Sequence, residues 1–290
     1  MPGFTYLRAE TLEQVLALLR TEGDGTKLLA GGQSLVPMIT LGLVEPRLLV
    51  DLNRLPGLDY ARVDDGVVAV GPLARHRALE RTDPALAAAA PLLPLAARLI
   101  GHAAIRTRGT LLGSLAHADP AAEWPAVALA LGAELRLASA RGERRLPADA
   151  FFLGPLTTAL EPDELLLEAR WPAAPPRTGA AVQELVYRYG DFAIVGVAAQ
   201  LSLGTDGAIA AAHLGLFGVA GTPVRARTAE QALLGAGPEA FAAAAREAQA
   251  AAEPASDATA SADYRREMIA VFARRALAEA YARAEASGPP

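Results

Sequence analysis

The sequence predicts an α+β protein, and three observations support this fold class. Hydrophobic residues make up 52% of the chain and charged residues 20%, which is typical of a packed globular protein and not of a disordered one. Helical and strand-like patterns occur in mixed order, and near the end of the chain the strands come first and the helices follow. The length of 290 residues favours two domains or three small ones.

The first elements are a helix and two short strands. Thr11 and Gln14 have the spacing of a capping box, and apolar residues at helical spacing follow until the glycines at 23 and 25. Lys27 to Ala30 and Leu48 to Leu52 are predicted strands. The first of these strands leads directly into Gly31-Gly32.

A hairpin, a broken helix and an irregular segment are expected next. Two strand patterns at 60–63 and 67–70 flank Asp64-Asp65-Gly66, a typical hairpin turn. Residues 83–100 have a helical pattern that Pro91 and Pro94 interrupt. Residues 101–125 show little periodicity, and long irregular segments within compact domains are usually functional.

The remaining patterns complete the α+β assignment. A helix is predicted at 126–131, paired strands at 134–139 and 144–146, and another strand at 165–171. The Ala173-Ala174-Pro175-Pro176 run marks a boundary. Beyond it we expect strands at 182–189, 193–203 and 208–219, and helices at 227–234, 239–252 and 264–286.

Composition excludes several function classes. The chain has no cysteine, so it offers no thiolate for an iron–sulfur cluster, a disulfide or a nucleophile. A net charge of −5 makes nucleic acid an unexpected partner. No apolar run is long enough to predict a membrane span, and the first residues lack the pattern of a signal peptide. We therefore expect a cytoplasmic protein.

One candidate binding segment directly follows the strand at 27–30. It consists of Ala30, Gly31, Gly32, Gln33, Ser34 and Leu35. Glycines allow the backbone to approach a ligand closely, and successive N–H groups in such a turn form an anion-binding nest. Ser34 is a candidate cap for a following helix. An ordinary strand-to-helix turn explains the same residues.

A second candidate segment covers residues 109–123. Its small residues and hydroxyls suit contacts with phosphate or ribityl oxygens, and Asp119 and Glu123 are candidate acceptors for sugar or ribityl hydroxyls. An alternative, compatible with the first, is a buried loop in which Asp119 and Pro120 begin a helix. A metal site at His117 and Asp119 is not favoured.

Other motifs carry less information. The dinucleotide, Walker A and Gly-x-Ser-x-Gly patterns are absent from the sequence. Tyr187, Tyr189 and Phe192 alternate weakly along a predicted strand, which favours core or interface positions.

The two candidate segments together resemble the flavin motifs of a known family. This family comprises the FAD-binding medium subunits of molybdenum hydroxylases, the carbon monoxide dehydrogenase and xanthine dehydrogenase group. Residues 30–37 resemble its first motif and residues 110–123 its second, in the usual order and places. Further matches lie at 188–193, 218–225 and 256–266, so the resemblance covers nearly the whole chain.

The resemblance implies a fold and a set of FAD contacts. The fold is a vanillyl-alcohol-oxidase-type (PCMH-type) FAD-binding fold with lobes at 1–56 and 57–174, followed by a C-terminal α+β domain at 175–290 with a three-stranded sheet plus helices. Backbone N–H groups from Ala30 to Leu35 would wrap the diphosphate. Binding from the other side would come from Thr110, Leu111, Leu112, Gly113 and Ser114. Glu123 would bind a ribityl or ribose hydroxyl, and the flavin rings would lie near Ile100, Leu166 and Phe192.

The resemblance also implies the function of an electron-transfer subunit. A molybdopterin-binding large subunit and a 2Fe–2S small subunit would complete a heterotrimer, itself able to dimerise, and electrons would pass through FAD to an external acceptor. No catalytic acid or base and no metal ligand is implied on this chain. Two departures from the family pattern are Leu112 in place of a glycine and Ala103-Ala104 in place of Pro-Gln. The alternatives are a stand-alone flavin oxidase and a scaffold subunit with a weakened flavin site.

Overall fold

The computed structural model describes residues 3–287, which begin with a small parallel β-sheet. Three strands form this sheet, and two helices connect them. In chain order, these elements are β1 (Thr5–Arg8), α1 (Leu12–Glu22), β2 (Thr26–Leu29), α2 (Leu35–Thr40) and β3 (Leu48–Asp51). Strand β3 lies between β1 and β2 and runs parallel to both. The carboxyl ends of the three strands therefore meet at one edge of the sheet, where the segment with Gly31 and Gly32 begins.

Helix α1 forms where its capping pattern predicts it. The Oγ1 of Thr11 accepts a hydrogen bond from the backbone N–H of Gln14 at 3.2 Å. The Oε1 of Gln14 accepts one from the backbone N–H of Glu10 at 2.9 Å. Val15 and Leu19 are buried in a hydrophobic cluster that includes residues of β3. Side-chain caps and an apolar face together explain the helix.

The middle of the chain forms a five-stranded antiparallel sheet into which six helices are inserted. In chain order, this part contains β4 (Ala61–Asp64), β5 (Val67–Val70), α3 (His76–Glu80), α4 (Pro84–Ala89), α5 (Leu92–Leu99), α6 (Ala103–Arg108), α7 (Leu111–His117), α8 (Glu123–Ala130), β6 (Glu134–Ser139), β7 (Gly142–Pro147), β8 (Phe152–Gly154), β9 (Thr157–Thr158) and β10 (Leu165–Pro172). The strand order is β4-β5-β10-β6-β7, and β8 and β9 pair separately. A large hydrophobic core joins this sheet to α5, α7 and α8.

The hairpin predicted between β4 and β5 is confirmed. Asp65 and Gly66 both adopt left-handed conformations, with φ of 49° and 74°. This pair of conformations defines the type I′ turn that suits the twist of two antiparallel strands. The Asp-Gly sequence was therefore a reliable local signal.

The expectation of an irregular segment at 101–125 is wrong, because α6, α7 and the start of α8 lie there. These helices are only 6, 7 and 8 residues long, too short to show a clear hydrophobic period. Asp119 and Pro120 also do not begin a helix. Asp119 Oδ1 accepts a hydrogen bond from the N–H of Ala121 at 2.9 Å in a turn, and α8 begins later at Glu123.

The C-terminal part consists of a four-stranded antiparallel sheet and three helices. Its elements are β11 (Thr178–Val186), β12 (Ala193–Leu203), β13 (Ile209–Phe217), β14 (Val224–Arg225), α9 (Arg227–Leu233), α10 (Phe241–Ala250) and α11 (Ala262–Ala286). One face of the sheet packs on the C-terminal helices, and α5 and α8 contact β11, β12 and β13. The fourth strand, β14, corrects the expected three-stranded sheet, because two residues give no sequence period.

The aromatic residues predicted on a strand lie instead on the loop after β11. Tyr187, Tyr189 and Phe192 follow the end of that strand, and each side chain is more than half exposed. Gly190 turns the chain there with a φ of 89°. Of the two positions expected for these aromatic residues, core or interface, the core position is therefore wrong.

Among residues 3–287, no helix combines the length and the apolar character needed to cross a membrane.

Candidate functional site

The first candidate segment forms a turn rich in free backbone donors. It leads from β2 into α2, and Gly32 adopts a left-handed φ of 71°. Of residues 3–287, none accepts a hydrogen bond from the backbone N–H groups of Gly32, Gln33, Ser34 and Leu35. Ser34 does not cap α2, because its own backbone is already helical and its side chain makes no capping bond. The segment offers successive N–H groups to an anion.

The second candidate segment begins with a true cap. Thr110 Oγ1 accepts a hydrogen bond from the N–H of Gly113 at 3.1 Å and so starts α7. Leu111 and Leu112 are each 2% exposed and belong to the hydrophobic core, whereas Gly113 is exposed and Ser114 half-buried. The departure at Leu112 therefore places a side chain in the interior and not on the exposed side of the helix.

The two segments are in direct contact. A Cβ on Gly31 would lie 2.5 Å from the carbonyl oxygen of Arg108 and 2.6 Å from the Cα of Gly109. The absence of a side chain at Gly31 is thus required for the close approach of the two backbones. The carbonyl of Gly109 also accepts a hydrogen bond from the N–H of His76 at 3.0 Å. This bond attaches the start of the second segment to the first residue of α3.

Two residues outside both candidate segments join them. Asn53 Nδ2 donates to the carbonyl oxygen of Ala30 at 2.9 Å, and the guanidinium of Arg75 donates to Asn53 Oδ1 and to the carbonyl oxygen of Arg108. We call this arrangement the Asn53–Arg75 bridge. The position of Asn53, just beyond the carboxyl end of β3, was the available signal, because functional residues gather at such edges.

Beneath the bridge lies a buried histidine. Trp124 Nε1 donates a hydrogen bond to His76 Nδ1 at 3.0 Å. Burial, with the nearby Arg75 and Arg106 acting in the same direction, lowers the pKa of His76 to about 3. His76 is therefore neutral at physiological pH and serves as a hydrogen-bond acceptor in the core.

Two carboxyl groups lie near the start of α8, the buried Glu123 and the half-buried Glu184. Glu123 is 8% exposed. Burial, followed by the neighbouring carboxyls of Glu184 and Asp119, raises the pKa of Glu123 to about 8, although its own backbone N–H acts in the opposite direction. Burial alone raises the pKa of Glu184 to about 7, and its Oε2 has no hydrogen-bond partner among the described residues. Both groups therefore hold a proton near neutral pH, and Glu184 is the one with an unpartnered oxygen.

A cleft of about 580 Å³ lies beside the loop with the exposed aromatic residues. Phe192, 60% exposed, lines it together with Pro120 and Ala121 of the second segment. Ile100 is half-buried at the end of α5, whereas Leu166 is 3% exposed within the core of the five-stranded sheet. The structure thus brings Phe192 to the end of the second segment and keeps Leu166 in the interior.

Protein-family profiles match almost the whole chain. The profile described as "FAD binding domain in molybdopterin dehydrogenase" matches residues 2–174, and that described as "CO dehydrogenase flavoprotein C-terminal domain" matches residues 180–280. The chain belongs to this flavoprotein family.

Curated relatives of this flavoprotein agree with the assignment. The alpha subunit of the 6-hydroxypseudooxynicotine dehydrogenase complex of Paenarthrobacter nicotinovorans is 40% identical over 98% of this chain and 96% of its own length. The carbon monoxide dehydrogenase medium chain of Hydrogenophaga pseudoflava is 37% identical over 97% of this chain and 98% of its own.

Solved structures share the fold. Carbon monoxide dehydrogenase from Hydrogenophaga pseudoflava, in a form lacking the molybdenum-pyranopterin moiety, superposes with a TM-score of 0.93 at 39% identity, over 98% of this chain and 99% of that one. Quinoline 2-oxidoreductase from Pseudomonas putida 86 gives a TM-score of 0.90 at 34% identity, covering 98% of each chain. The expected family, FAD-binding α+β fold and oxidoreductase class are confirmed.

The residues present in this flavoprotein fit FAD. The free N–H groups of residues 32–35 match the charge of a diphosphate. Gly31 leaves no side chain in the junction between the two segments. The carboxyls of Glu123 and Glu184, which when protonated can both donate and accept hydrogen bonds, match a ligand with several hydroxyl groups.

Proposed function

We propose that this flavoprotein is the electron-transfer subunit of a molybdenum hydroxylase complex. It would receive electrons from iron–sulfur clusters on a partner subunit and pass them through FAD to an external acceptor. The observation that carries this proposal is the end-to-end match with the medium chains of carbon monoxide dehydrogenases, with TM-scores of 0.93 and 0.94. When bound, FAD would supply the redox chemistry, which amino-acid side chains cannot provide.

The partners follow from the same match. We propose a molybdopterin-binding large subunit and a 2Fe–2S small subunit as the other chains. The sequence contains no cysteine, so clusters that feed the flavin would be held by another chain. The relatives support this arrangement, because their names describe them as a complex subunit and as a medium chain.

The chain's own residues would bind and orient the cofactor. We assign the diphosphate to the backbone N–H groups between Ala30 and Leu35 and to the segment Thr110–Ser114, where Leu111 and Leu112 contribute backbone only. Asp119 and Glu123 would accept hydrogen bonds from hydroxyl groups. Ile100, Leu166 and Phe192 would supply apolar contacts to the rings, Leu166 from the interior.

The proposed domain organisation places these contacts on three units. We assign residues 1–56 and 57–174 to two FAD-binding lobes and residues 175–290 to the C-terminal domain. The first segment and the second segment then lie on different lobes, with the Asn53–Arg75 bridge across the boundary. Limited proteolysis that cuts first near residues 56 and 174 would support these bounds, and first cuts within the sheets would contradict them.

The weakened-site alternative loses its main support. Leu112 was its only indication in the sequence, and the structure buries that side chain in the core. A stand-alone oxidase is also less favoured, because the chain covers 96–98% of relatives whose names describe subunits. Each alternative nevertheless predicts a measurable difference from the proposed function.

Two measurements on purified protein test the proposed function. The isolated chain is expected to bind FAD and show a flavin absorption band, without turnover of the complex's organic substrate. Co-expression with the neighbouring genes is expected to yield a complex that contains molybdenum, iron and FAD. Absence of flavin from both preparations would refute the proposal, and substrate turnover by the isolated chain would favour the stand-alone oxidase.

A further inference from the structure

Arg75 lies where the two flavin segments meet. It precedes α3 and forms an isolated β-bridge with Thr110 of the second segment. Its guanidinium donates to the carbonyl oxygen of Arg108 and to Oδ1 of Asn53, and Asn53 donates to the carbonyl of Ala30 at 2.9 Å. One side chain is therefore connected to both segments.

The positive charge of Arg75 is not neutralised by these contacts. Both acceptors are neutral oxygens, and among residues 3–287 no carboxylate forms an ion pair with it. Burial lowers the pKa of Arg75, and Arg108 also lowers it, while Asp59 and Asp51 act from a distance in the opposite direction. A half-buried cation in this situation is stabilised by an anion bound beside it.

Other arginines in the same part of the molecule have carboxylate partners. Arg77 and Arg106 both form ion pairs with Glu80, at 2.9 and 3.1 Å. Arg144 forms one with Glu164 at 2.6 Å. Arg75 differs from these arginines because no carboxylate is paired with it. Its positive charge and its remaining N–H donors are therefore available to a ligand.

The first flavin segment, which meets Arg75 through Asn53 and the Arg108 carbonyl, is suited to an anion. Its backbone N–H groups at residues 32–35 donate to no protein acceptor among the described residues, and Gly31 packs against the carbonyl that Arg75 contacts. Guanidinium groups match the geometry of phosphate oxygens and bind them through paired hydrogen bonds. The junction therefore combines a free cation with free N–H donors.

We propose that Arg75 is a diphosphate-binding residue, whose guanidinium neutralises the FAD diphosphate held between the two segments. The same side chain positions the segments through the Asn53–Arg75 bridge. This inference rests on the proposed function, because it takes FAD as the ligand. It adds a side-chain cation to a binding site otherwise built from backbone N–H groups.

The test compares FAD with riboflavin, which carries the same rings and ribityl chain but no phosphate. In the full-length chain, Arg75→Gln is expected to weaken FAD binding by about tenfold or more, the value of a charge-assisted hydrogen bond. Riboflavin binding is expected to change by less than about twofold, since its contacts do not involve charge. Arg77→Gln, two residues further along and paired with Glu80, is the matched control and should leave both affinities unchanged.

Each outcome has a distinct meaning. Equal weakening of FAD and riboflavin binding by Arg75→Gln would overturn the proposal, because it would show that Arg75 only holds the two segments together. Unchanged FAD binding in Arg75→Gln would also overturn it. If Arg75→Gln does not fold, Arg75→Met, which also removes the charge but keeps much of the apolar stem, provides the test, and an unchanged ratio of FAD to riboflavin affinity would overturn the proposal. Failure of the unmodified chain to bind FAD would instead refute the proposed function.

Discussion

Substitution of Gly31 by alanine tests the contact between the two flavin segments. The added Cβ would lie 2.5 Å from the Arg108 carbonyl oxygen and 2.6 Å from the Gly109 Cα, whereas non-bonded atoms prefer about 3.5–4.0 Å. Both obstacles are backbone atoms, so no side chain can rotate away. The two backbones must separate by about 1 Å, and such overpacking typically costs about 1–3 kcal/mol.

We expect most of this cost to appear in cofactor binding. The free N–H groups of residues 32–35 and the second segment can contact one diphosphate only if the junction keeps its spacing. A loss of about 1–3 kcal/mol corresponds to FAD binding weakened by about 5- to 150-fold. Titration of the FAD-free chain, followed by flavin fluorescence, measures the dissociation constant, and thermal unfolding without FAD measures the cost to the fold.

Two glycine controls separate steric from conformational effects. Gly154 is not left-handed, and its nearest neighbour would be 3.9 Å from a new Cβ, so Gly154→Ala should leave FAD binding unchanged. Gly42 has a φ of 70° with open space around it, so Gly42→Ala should destabilise the fold without affecting the junction. If Gly31→Ala binds FAD within about twofold of the unmodified chain, the steric reasoning is wrong.

The remaining predictions concern three residues, His76, Glu184 and Leu112. His76→Leu should lower the free energy of unfolding by about 1–3 kcal/mol, because Trp124 loses the acceptor of its N–H. The pKa of His76 is about 3 in the fold, whereas an unfolded histidine binds a proton below about pH 6.5, so the unmodified chain should lose stability as the pH falls below 6.5. The free energy of unfolding of His76→Leu, measured by urea titration at several pH values, should lack this part of the pH dependence. The pKa of Glu184 is raised from 4.5 to about 7 in the folded chain, so the FAD-free protein should lose stability as the pH rises between these values. Glu184→Gln removes this loss and should raise the melting temperature at pH 8. A lower melting temperature at pH 8 would contradict the raised pKa. Leu112→Gly should cost about 2–5 kcal/mol of stability and should not tighten FAD binding, whereas a gain in affinity would revive the weakened-site alternative.

Elements with strong local signals could be predicted from the sequence. Helix α1 carries its own capping residues, and the β4–β5 turn is encoded by Asp65-Gly66. Strand β12 was predicted with its observed bounds because eleven consecutive residues have strand character. In each case the information lies within a few neighbouring residues.

Elements stabilised from a distance could not be predicted. Helices α6 and α7 are short and depend on packing and on the cap of Thr110. The aromatic loop after β11 was taken for a continued strand, because alternation of large residues persists beyond Val186. Tertiary contacts determine where these short elements begin and end.

The flavin segments were found through their resemblance to a family, but their surroundings were not. Asn53 and Arg75 act through side-chain contacts between elements far apart in the chain, and no local motif marks them. Glu184 is half-buried on β11 and lies near Glu123 of α8, a neighbour more than sixty residues away in the chain. Local sequence patterns do not show which residues distant in the chain come into contact.

The contact between Gly31 and Gly109 has a consequence for how the protein matures. The first flavin segment leaves the ribosome well before its partner, and the intervening β4, β5 and α3 to α6 must be synthesised before the two can meet. Long-range contacts of this kind form late, since loop closure costs entropy before the contact is gained. Flavin loading would therefore wait until the second segment has been synthesised, and a truncated nascent chain ending before Gly109 would not retain the cofactor.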